Sequence, residues 1–252
     1  MYISKTDCPV TDAEKAEMRK YPYAAVVGSL LWLVSCTRPD LAFAVSELSK
    51  VVSNPGPAHW DAALHVLAYL KGTRELGIRY GGNDFVPNVF ETYADAGWAG
   101  DSDTRRSQSG YLVMLNGGPV IWRSNQQSVV ALSSCEAEYI AQCAAGTVVA
   151  YLRMFMEELG YAQRAPSVCY QDNDGARAMA DHPTSWQRTK HIDIRYHWVR
   201  TQVELGHFLP IVCRTEHMLA DIFTKSLHAD KLRPLRDAAL GHAAQPVHRT
   251  QH

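Results

Sequence analysis

The sequence predicts an α/β fold, in which a small helical subdomain precedes a mixed sheet of three antiparallel strands and then parallel strands, flanked by helices. In residues 21–82 the apolar side chains recur with helical spacing, and after the turn-rich stretch "GGNDFVPN" they alternate as they do in strands. In that second part three predicted strands follow one another directly, whereas the later strands are separated by helices. This order is typical of a mixed sheet with helices packed against it.

Composition limits the classes of protein that remain. The chain has 252 residues, of which 46% are hydrophobic, and this is enough for a sizeable core. Its net charge of −1 excludes a protein-wide positive field, so any contact with nucleic acid must come from a local patch. The six cysteines lack the spacing of zinc or redox motifs and indicate a reducing, intracellular setting. The most apolar stretch, residues 23–36, is too short to span a bilayer, so no membrane partner is expected.

Three helices are predicted in the first part of the chain. Residues 1–20 are polar and charged, and we expect them to form a disordered lead-in. The stretch "AAVVGSLLWLVS" forms the first helix, "DLAFAVSELSKVV" the second with Asp40 as its N-cap, and "AHWDAALHVLAYLKG" the third, which ends at Gly72. The stretch "LGIRYGG" is predicted as a short strand before the boundary.

The second part covers residues 86–241 and supplies the sheet. Its first three strands are "FETYADA", "SGYLVMLNGG" and "PVIWRSN", and a long helix follows from the capping box of Ser133 and Glu136 to Gly160. The later predicted elements are the strand "PSVCYQD", the short helix "NDGARAMAD", the charged helix "QRTKHIDIRYHWVRTQVELG", the strand "HFLPIVC" and a last helix from "HMLADIFTKSL" onward. Residues 242–252 have little to bury and are predicted to be a disordered tail.

Several acids fall where the sheet would bring them together. They lie in the first strand, in the first turns of the long helix, at the end of the fourth strand and in the last helix: Asp95, Glu136, Glu138, Asp172 and Asp221. Acids within apolar segments are costly unless they are paired or bind a metal ion. Carboxylates suit Mg²⁺, and two such ions roughly 3.5–4 Å apart can activate water for phosphodiester hydrolysis. Acids at strand ends and helix starts also serve as caps, so the pattern alone leaves both interpretations open.

Five motifs then match a known family in order and spacing. The motifs are "YADAGWAGDSDTRRSQSGY", "VALSSCEAEYIA", "YQDNDGARAMA", "RTKHIDIRYHWVR" and "ADIFTKSL". They resemble the ribonuclease H domain of copia-type LTR retrotransposon Pol polyproteins, and "YAAVVGSLLWLVSCTRPDLAFAVSELSK" and "HWDAALHVLAYLKGT" resemble the reverse transcriptase thumb or connection that precedes this domain. The resemblance implies a thumb or connection remnant over residues 21–82 and a ribonuclease H-like domain over residues 86–241.

The resemblance also implies the site. Asp95, Glu138, Asp172 and Asp221 match the catalytic acids, which would hold two Mg²⁺ ions, with Mn²⁺ able to substitute, and hydrolyse the RNA strand of an RNA–DNA hybrid. Glu136 is better explained as the capping partner of Ser133. Integrases and transposases have their catalytic glutamate last, so the order of acids in this chain favours ribonuclease H.

One departure from the family pattern bears on metal binding, and one absence bears on polymerase activity. The family usually has a second aspartate two residues after the first, and here that position is Gly97. No Tyr-x-Asp-Asp box occurs in the sequence, so we expect no polymerase active site and a partnership with the rest of a Pol polyprotein. The alternative hypothesis is a decayed remnant that binds nucleic acid without cleaving it. An active element would place the chain in cytoplasmic particles.

Two basic segments are candidate nucleic-acid contacts. Arg105 and Arg106 lie in the turn after the first strand. The charged helix interleaves basic and aromatic residues, a pattern that suits binding of a duplex backbone. Its candidate residues are Arg188, Lys190, His191, Arg195 and His197. The alternative for both segments is a solvated surface.

Overall fold

The structure, a computed structural model, describes residues 3–81, 85–172 and 198–243. Its strands are β1 (Phe90–Gly97), β2 (Gln108–Leu115), β3 (Gly118–Gln126), β4 (Ser167–Gln171) and β5 (Phe208–Val212). They form one five-stranded sheet in the order β3-β2-β1-β4-β5. The β1–β2 and β2–β3 pairs are antiparallel, and the β1–β4 and β4–β5 pairs are parallel. The predicted mixed sheet, with three antiparallel strands followed by parallel strands, is confirmed.

Seven α-helices lie in the described ranges. They are α1 (Asp12–Met18), α2 (Tyr23–Cys36), α3 (Ala42–Ser49), α4 (Pro57–Gly72), α5 (Ser134–Glu158), α6, whose described part covers residues 198–204, and α7 (Ala229–Ala239). One half of the predicted capping box of α5 is present, since the Ser133 side chain accepts the N–H of Glu136. The Glu136 carboxylate accepts the N–H of Leu132 at 2.9 Å in place of the predicted bond to Ser133. No helix within the described ranges is long and apolar enough to cross a bilayer.

Each face of the sheet has its own apolar core. On one face, α5 and α6, with Val199 in α6, pack against Phe90, Tyr111 and neighbouring side chains of the sheet. On the other face, a 3₁₀ turn (Leu219–Phe223) and α7 pack against Tyr93, Leu112 and neighbouring side chains. Gly110 allows the close approach of this turn, since a Cβ there would lie 2.6 Å from the Cβ of Phe223. This packing brings Asp221, inside the turn, against the centre of the sheet.

The helical part packs against the β2–β3 side of the sheet. Its own core joins α2, α3 and α4 through residues such as Leu30, Val45 and Ala63. The Trp122 indole donates to the carbonyl of Val34 at 2.7 Å. The helical part therefore contacts the sheet through both apolar and polar groups.

The structure differs locally from the sequence-based expectations. Asp40 does not cap α3, because its carboxylate instead accepts two hydrogen bonds from the buried Arg38 guanidinium, at 2.8 and 2.9 Å. Residues 3–20, expected as a disordered lead-in, contain α1 with a full capping box at Thr11. The described residues 76–81 form no strand, although the Arg79 N–H donates to the Leu240 carbonyl at 2.8 Å.

The segment expected to begin the last helix is also different. Leu219–Phe223 form a 3₁₀ turn, and α7 begins only at Ala229. All five residues of the turn are buried. An α-helix at the edge of a domain buries one stripe of side chains, and a tight turn can bury a short run of consecutive residues instead.

Candidate active site

Two neighbouring parallel strands place the first pair of acids. The register of β1 and β4 pairs Tyr93 with Tyr170. Asp95 and Asp172 each lie two residues further along, so they are level with each other and project from the same face of the sheet. The carboxylates therefore meet at one edge of the sheet, as predicted from the sequence.

The third acid comes from α5, which covers the opposite face of the sheet. Glu138 lies near the N-terminus of α5, where small side chains separate the helix from β1: Ala96, Ala137 and Ala141. Such small residues let the helix approach the strand closely. Asp95, Glu138 and Asp172 each offer an oxygen atom, and these atoms lie within 4.8 Å of one another.

These three acids have an unusual electrostatic environment. Asp95 is 1% exposed and Glu138 is 5% exposed. Burial raises the pKa of Glu138 to about 10, and repulsion by the carboxylates of Asp95 and Asp172 adds to this effect. Burial also raises the pKa of Asp95, against the attraction of Lys225. The cluster is thus poorly suited to holding three negative charges without a cation.

The donor set fits a hard divalent cation. All three ligand candidates are carboxylates, which Mg²⁺ and Mn²⁺ accept. The Oε2 atom of Glu138 is buried and has no hydrogen-bond partner among the described residues. A buried carboxylate oxygen without a partner is costly, and a bound cation would remove that cost.

The fourth predicted acid has different neighbours. Asp221 is fully buried, and its Oδ1 atom lies 2.8 Å from the Lys225 ammonium, while its Oδ2 atom lies 2.9 Å from the Lys231 ammonium. Lys225 also lies 3.5 Å from Oδ2 of Asp95. Burial opposes the charge of Lys225, but the carboxylates of Asp95 and Asp221 raise its pKa above the ordinary value. Asp221 is therefore linked to the three-acid group by Lys225, whose ammonium contacts both Asp221 and Asp95.

The sequence analysis did not identify the residues that surround Asp221. The hydroxyl of Thr224 donates a short hydrogen bond to Oδ2 of Asp95. The backbone of Thr224 also favours glycine at position 97, because a Cβ on residue 97 would lie 2.6 Å from the Thr224 carbonyl oxygen. The space next to Gly97, where the family pattern has an acid, is filled by this segment. The four-residue spacing of Asp221 and Lys225 was a signal that could have predicted their ion pair.

The other two acids of the β1–β2 connection belong to the loop. Asp101 pairs with Lys50 at 2.9 Å and accepts hydrogen bonds from Thr104. Burial opposes this charge, yet the Lys50 and Thr104 hydrogen bonds lower the pKa of Asp101 to about 2. Asp103 accepts hydrogen bonds from the hydroxyl of Ser4 and from the backbone N–H of Lys5, both at 2.9 Å. These acids stabilise the loop and its contact with the helical part.

The predicted nucleic-acid contacts are only partly described. Arg105 and Arg106 are exposed in this same loop, and Arg105 has a positive φ of 56°. The remaining candidates lie outside the described residues: Arg188, Lys190, His191, Arg195 and His197.

Comparison with known proteins gives the family. No family model matches the chain. It is 41% identical over 229 residues to the retrovirus-related Pol polyprotein from transposon TNT 1-94 of Nicotiana tabacum, covering 91% of this chain and 17% of that protein. It is 38% identical over 205 residues to the Pol polyprotein from transposon RE2 of Arabidopsis thaliana, covering 81% and 14%. The chain thus spans less than a fifth of the length of these relatives.

Two further matches complete the comparison. Over 124 residues the chain is 49% identical to the secreted RxLR effector protein 161 of Plasmopara viticola, covering 49% of this chain and 86% of that protein. A crystal structure of LC11-RNase H1 in complex with an RNA/DNA hybrid aligns with 54% of this chain and 93% of its own, at 16% identity and a TM-score of 0.40. The two plant matches extend over most of the sequence, and the chain belongs to the family of retrovirus-related Pol polyproteins of transposons.

Proposed function

We propose that the chain is the ribonuclease H part of a transposon Pol polyprotein and hydrolyses the RNA strand of RNA–DNA hybrids internally. The observation that carries this proposal is the convergence of Asp95, Glu138 and Asp172, whose oxygens lie within 4.8 Å of one another. They come from β1, α5 and the end of β4 of a sheet with ribonuclease H-like topology. The relationship to Pol polyproteins over most of the chain supports the same function.

The acids would hold the divalent ion that the reaction needs. Asp95, Glu138 and Asp172 form the ligand group, and Asp221 is the fourth acid that the family pattern assigns to the site. A bound Mg²⁺ or Mn²⁺ supplies an activated water and charge stabilisation at the leaving oxygen. The protein contributes a preorganised group of carboxylates. Burial makes the charged form of Glu138 unfavourable in the absence of a cation, and a bound cation would stabilise this charge.

The substrate would be recognised mainly through its backbone and shape. Arg105 and Arg106 are exposed in the β1–β2 connection, where their guanidinium groups can reach phosphate oxygens. Selectivity for a hybrid would come from duplex geometry and from 2′-hydroxyl contacts along the RNA strand. The products would be a 3′-hydroxyl and a 5′-phosphate. The rest of the polyprotein would supply the polymerase.

A cleavage assay on a labelled RNA–DNA hybrid tests this function. The wild-type chain should cleave the RNA strand with Mg²⁺ or Mn²⁺ and leave single-stranded RNA and duplex DNA intact. Asp172→Asn should abolish cleavage, whereas Asp61→Asn, an exposed acid on α4, should not. Equal cleavage by wild type and Asp172→Asn would refute the assignment of the acids. Hybrid binding without cleavage under either metal would favour the decayed remnant.

A further inference from the structure

The carboxylate of Asp221 forms ion pairs with two lysines of the protein. Its side chain is 0% exposed, and its two oxygens contact two different ammonium groups. Lys225 lies 2.8 Å from Oδ1 and Lys231 lies 2.9 Å from Oδ2. Both oxygens of this acid therefore lie within ion-pair distance of an ammonium group, although only Oδ2 also accepts a hydrogen bond among the described contacts.

Lys225 also occupies the space between two of the predicted ligands. Its ammonium lies 2.8 Å from Asp221 and 3.5 Å from Asp95, so a single charge contacts both carboxylates. An ion bridging these two acids would have to take the same place. The three-acid group, by contrast, contains Asp95, Glu138 and Asp172 and does not include Asp221.

The backbone holds Lys225 in this position. Its N–H donates to the Asp221 carbonyl at 3.3 Å, and the preceding Thr224 donates its hydroxyl to Asp95. Gly97 permits this arrangement, because any larger residue would place a Cβ 2.6 Å from the Thr224 carbonyl oxygen. The position where the family pattern has a further acid thus accommodates the segment that carries the lysine.

We infer that this chain holds one resident divalent ion, on Asp95, Glu138 and Asp172, and that the Lys225 ammonium supplies the second positive charge, between Asp95 and Asp221. The charges agree with this assignment, since one divalent ion and the ammonium groups of Lys225 and Lys231 balance four ionised carboxylates. A second divalent ion between Asp95 and Asp221 would have to displace the Lys225 ammonium, which contacts both carboxylates. The side chain of Lys225 is 39% exposed, so its ammonium can also face a substrate phosphate.

The inference rests on the proposed function only for its chemical role, and its test measures metal binding directly. Mn²⁺ is titrated into the full chain without nucleic acid, and the number of bound ions is measured by calorimetry and by the electron paramagnetic resonance signal of free Mn²⁺. We expect one equivalent for the wild type. Lys225→Met removes the ammonium at similar side-chain length and should open the second position, giving two equivalents.

A matched variant separates position from charge. Lys231→Met removes an ammonium from the same acid but leaves Lys225 between Asp95 and Asp221, so we expect one equivalent. Circular dichroism confirms that each variant is folded. Two equivalents in the wild type, or one in Lys225→Met, would overturn the inference.

The metal dependence of cleavage gives a second readout. The wild-type rate should rise with the first power of Mn²⁺ concentration below saturation, and the Lys225→Met rate with a higher power. Absence of cleavage together with the expected ion stoichiometries would overturn the proposed function and leave the ion assignment standing. A wild-type rate that rises with the second power of Mn²⁺ concentration would refute the single-ion site.

Discussion

Replacing Glu138 with glutamine is expected to stabilise the metal-free protein while removing a metal ligand. Glu138 is 5% exposed, and its neighbours include the carboxylates of Asp95 and Asp172. Burial and this repulsion raise its pKa from the ordinary value of 4.5 to about 10. Glutamine has nearly the same shape and no charge, so it removes the cost of placing an acid there.

The magnitude follows from proton linkage. Above pH 4.5 the unfolded chain releases the proton of this carboxyl group, whereas the folded chain keeps it up to about pH 10. The stability contributed by this group is therefore fully present below pH 4.5 and falls by about 1.4 kcal/mol per pH unit as the pH rises. At pH 7, which is roughly 2.5 units above the unfolded-state value, the loss is about 3 kcal/mol. Glu138→Gln should recover most of it.

Urea denaturation in EDTA across pH 5 to 9 measures this effect. The free energy of unfolding should fall with pH more steeply for the wild type than for Glu138→Gln. Added Mg²⁺ should then stabilise the wild type more than the variant, because only the wild type has all three carboxylates. Equal pH slopes for the two proteins would refute the electrostatic reasoning.

A neighbouring glutamate provides the control for this experiment. Glu136 is equally buried, but its carboxylate accepts the N–H of Leu132 at the start of α5. Glu136→Gln should reduce stability by about 0.3–1 kcal/mol, since it removes a negative charge from the helix N-terminus. A gain in stability for both variants would indicate that burial of any glutamate at this end of α5 is the cause.

Three further predictions concern packing, an ion pair and substrate binding. Gly97→Asp should destabilise the protein by about 1–3 kcal/mol in urea denaturation, because its Cβ would lie 2.6 Å from the Thr224 carbonyl oxygen. Arg38→Met should cost about 3–5 kcal/mol, because it leaves the buried Asp40 carboxylate without the cation that lies 2.8 Å away. Arg106→Ala should weaken hybrid binding and reduce the salt dependence of the affinity by about one counterion, measured by fluorescence anisotropy.

Matched changes test the first two of these expectations. Gly28 lies in α2, and a Cβ added there would meet no atom within 4 Å, so Gly28→Ala should stabilise the protein by about 0.5–1 kcal/mol. Arg74→Met breaks an exposed pair with Glu75 and should change stability by less than about 0.5 kcal/mol. A loss of stability in Gly28→Ala as large as that in Gly97→Asp would contradict the packing argument. Equal losses in Arg38→Met and Arg74→Met would contradict the argument from the buried ion pair. An unchanged salt dependence in Arg106→Ala would exclude its phosphate contact.

The sequence was sufficient where local patterns determine structure. Periodicity and capping predicted α2, α4, α5 and all five strands, because these signals depend on neighbours a few residues apart. The positions of Asp95 and Asp172 towards the ends of apolar strands also predicted that these acids would meet, and the structure added that β1 and β4 are parallel neighbours. The acid order and the motif spacing predicted the family, which the plant relatives confirm.

Tertiary structure alone decided the partners of each acid. The hydrogen bond from Thr224 to Asp95 joins residues 129 positions apart, and no local pattern encodes such a contact. The 3₁₀ turn that carries Asp221 buries all its residues against the sheet, so helical periodicity could not predict it. The same packing places Lys225 between Asp95 and Asp221 and explains why a glycine stands at position 97. Sequence thus determined which acids lie at this site, and the packing of the turn against β1 determined that Asp221 meets two lysines and stays outside the group of three carboxylates.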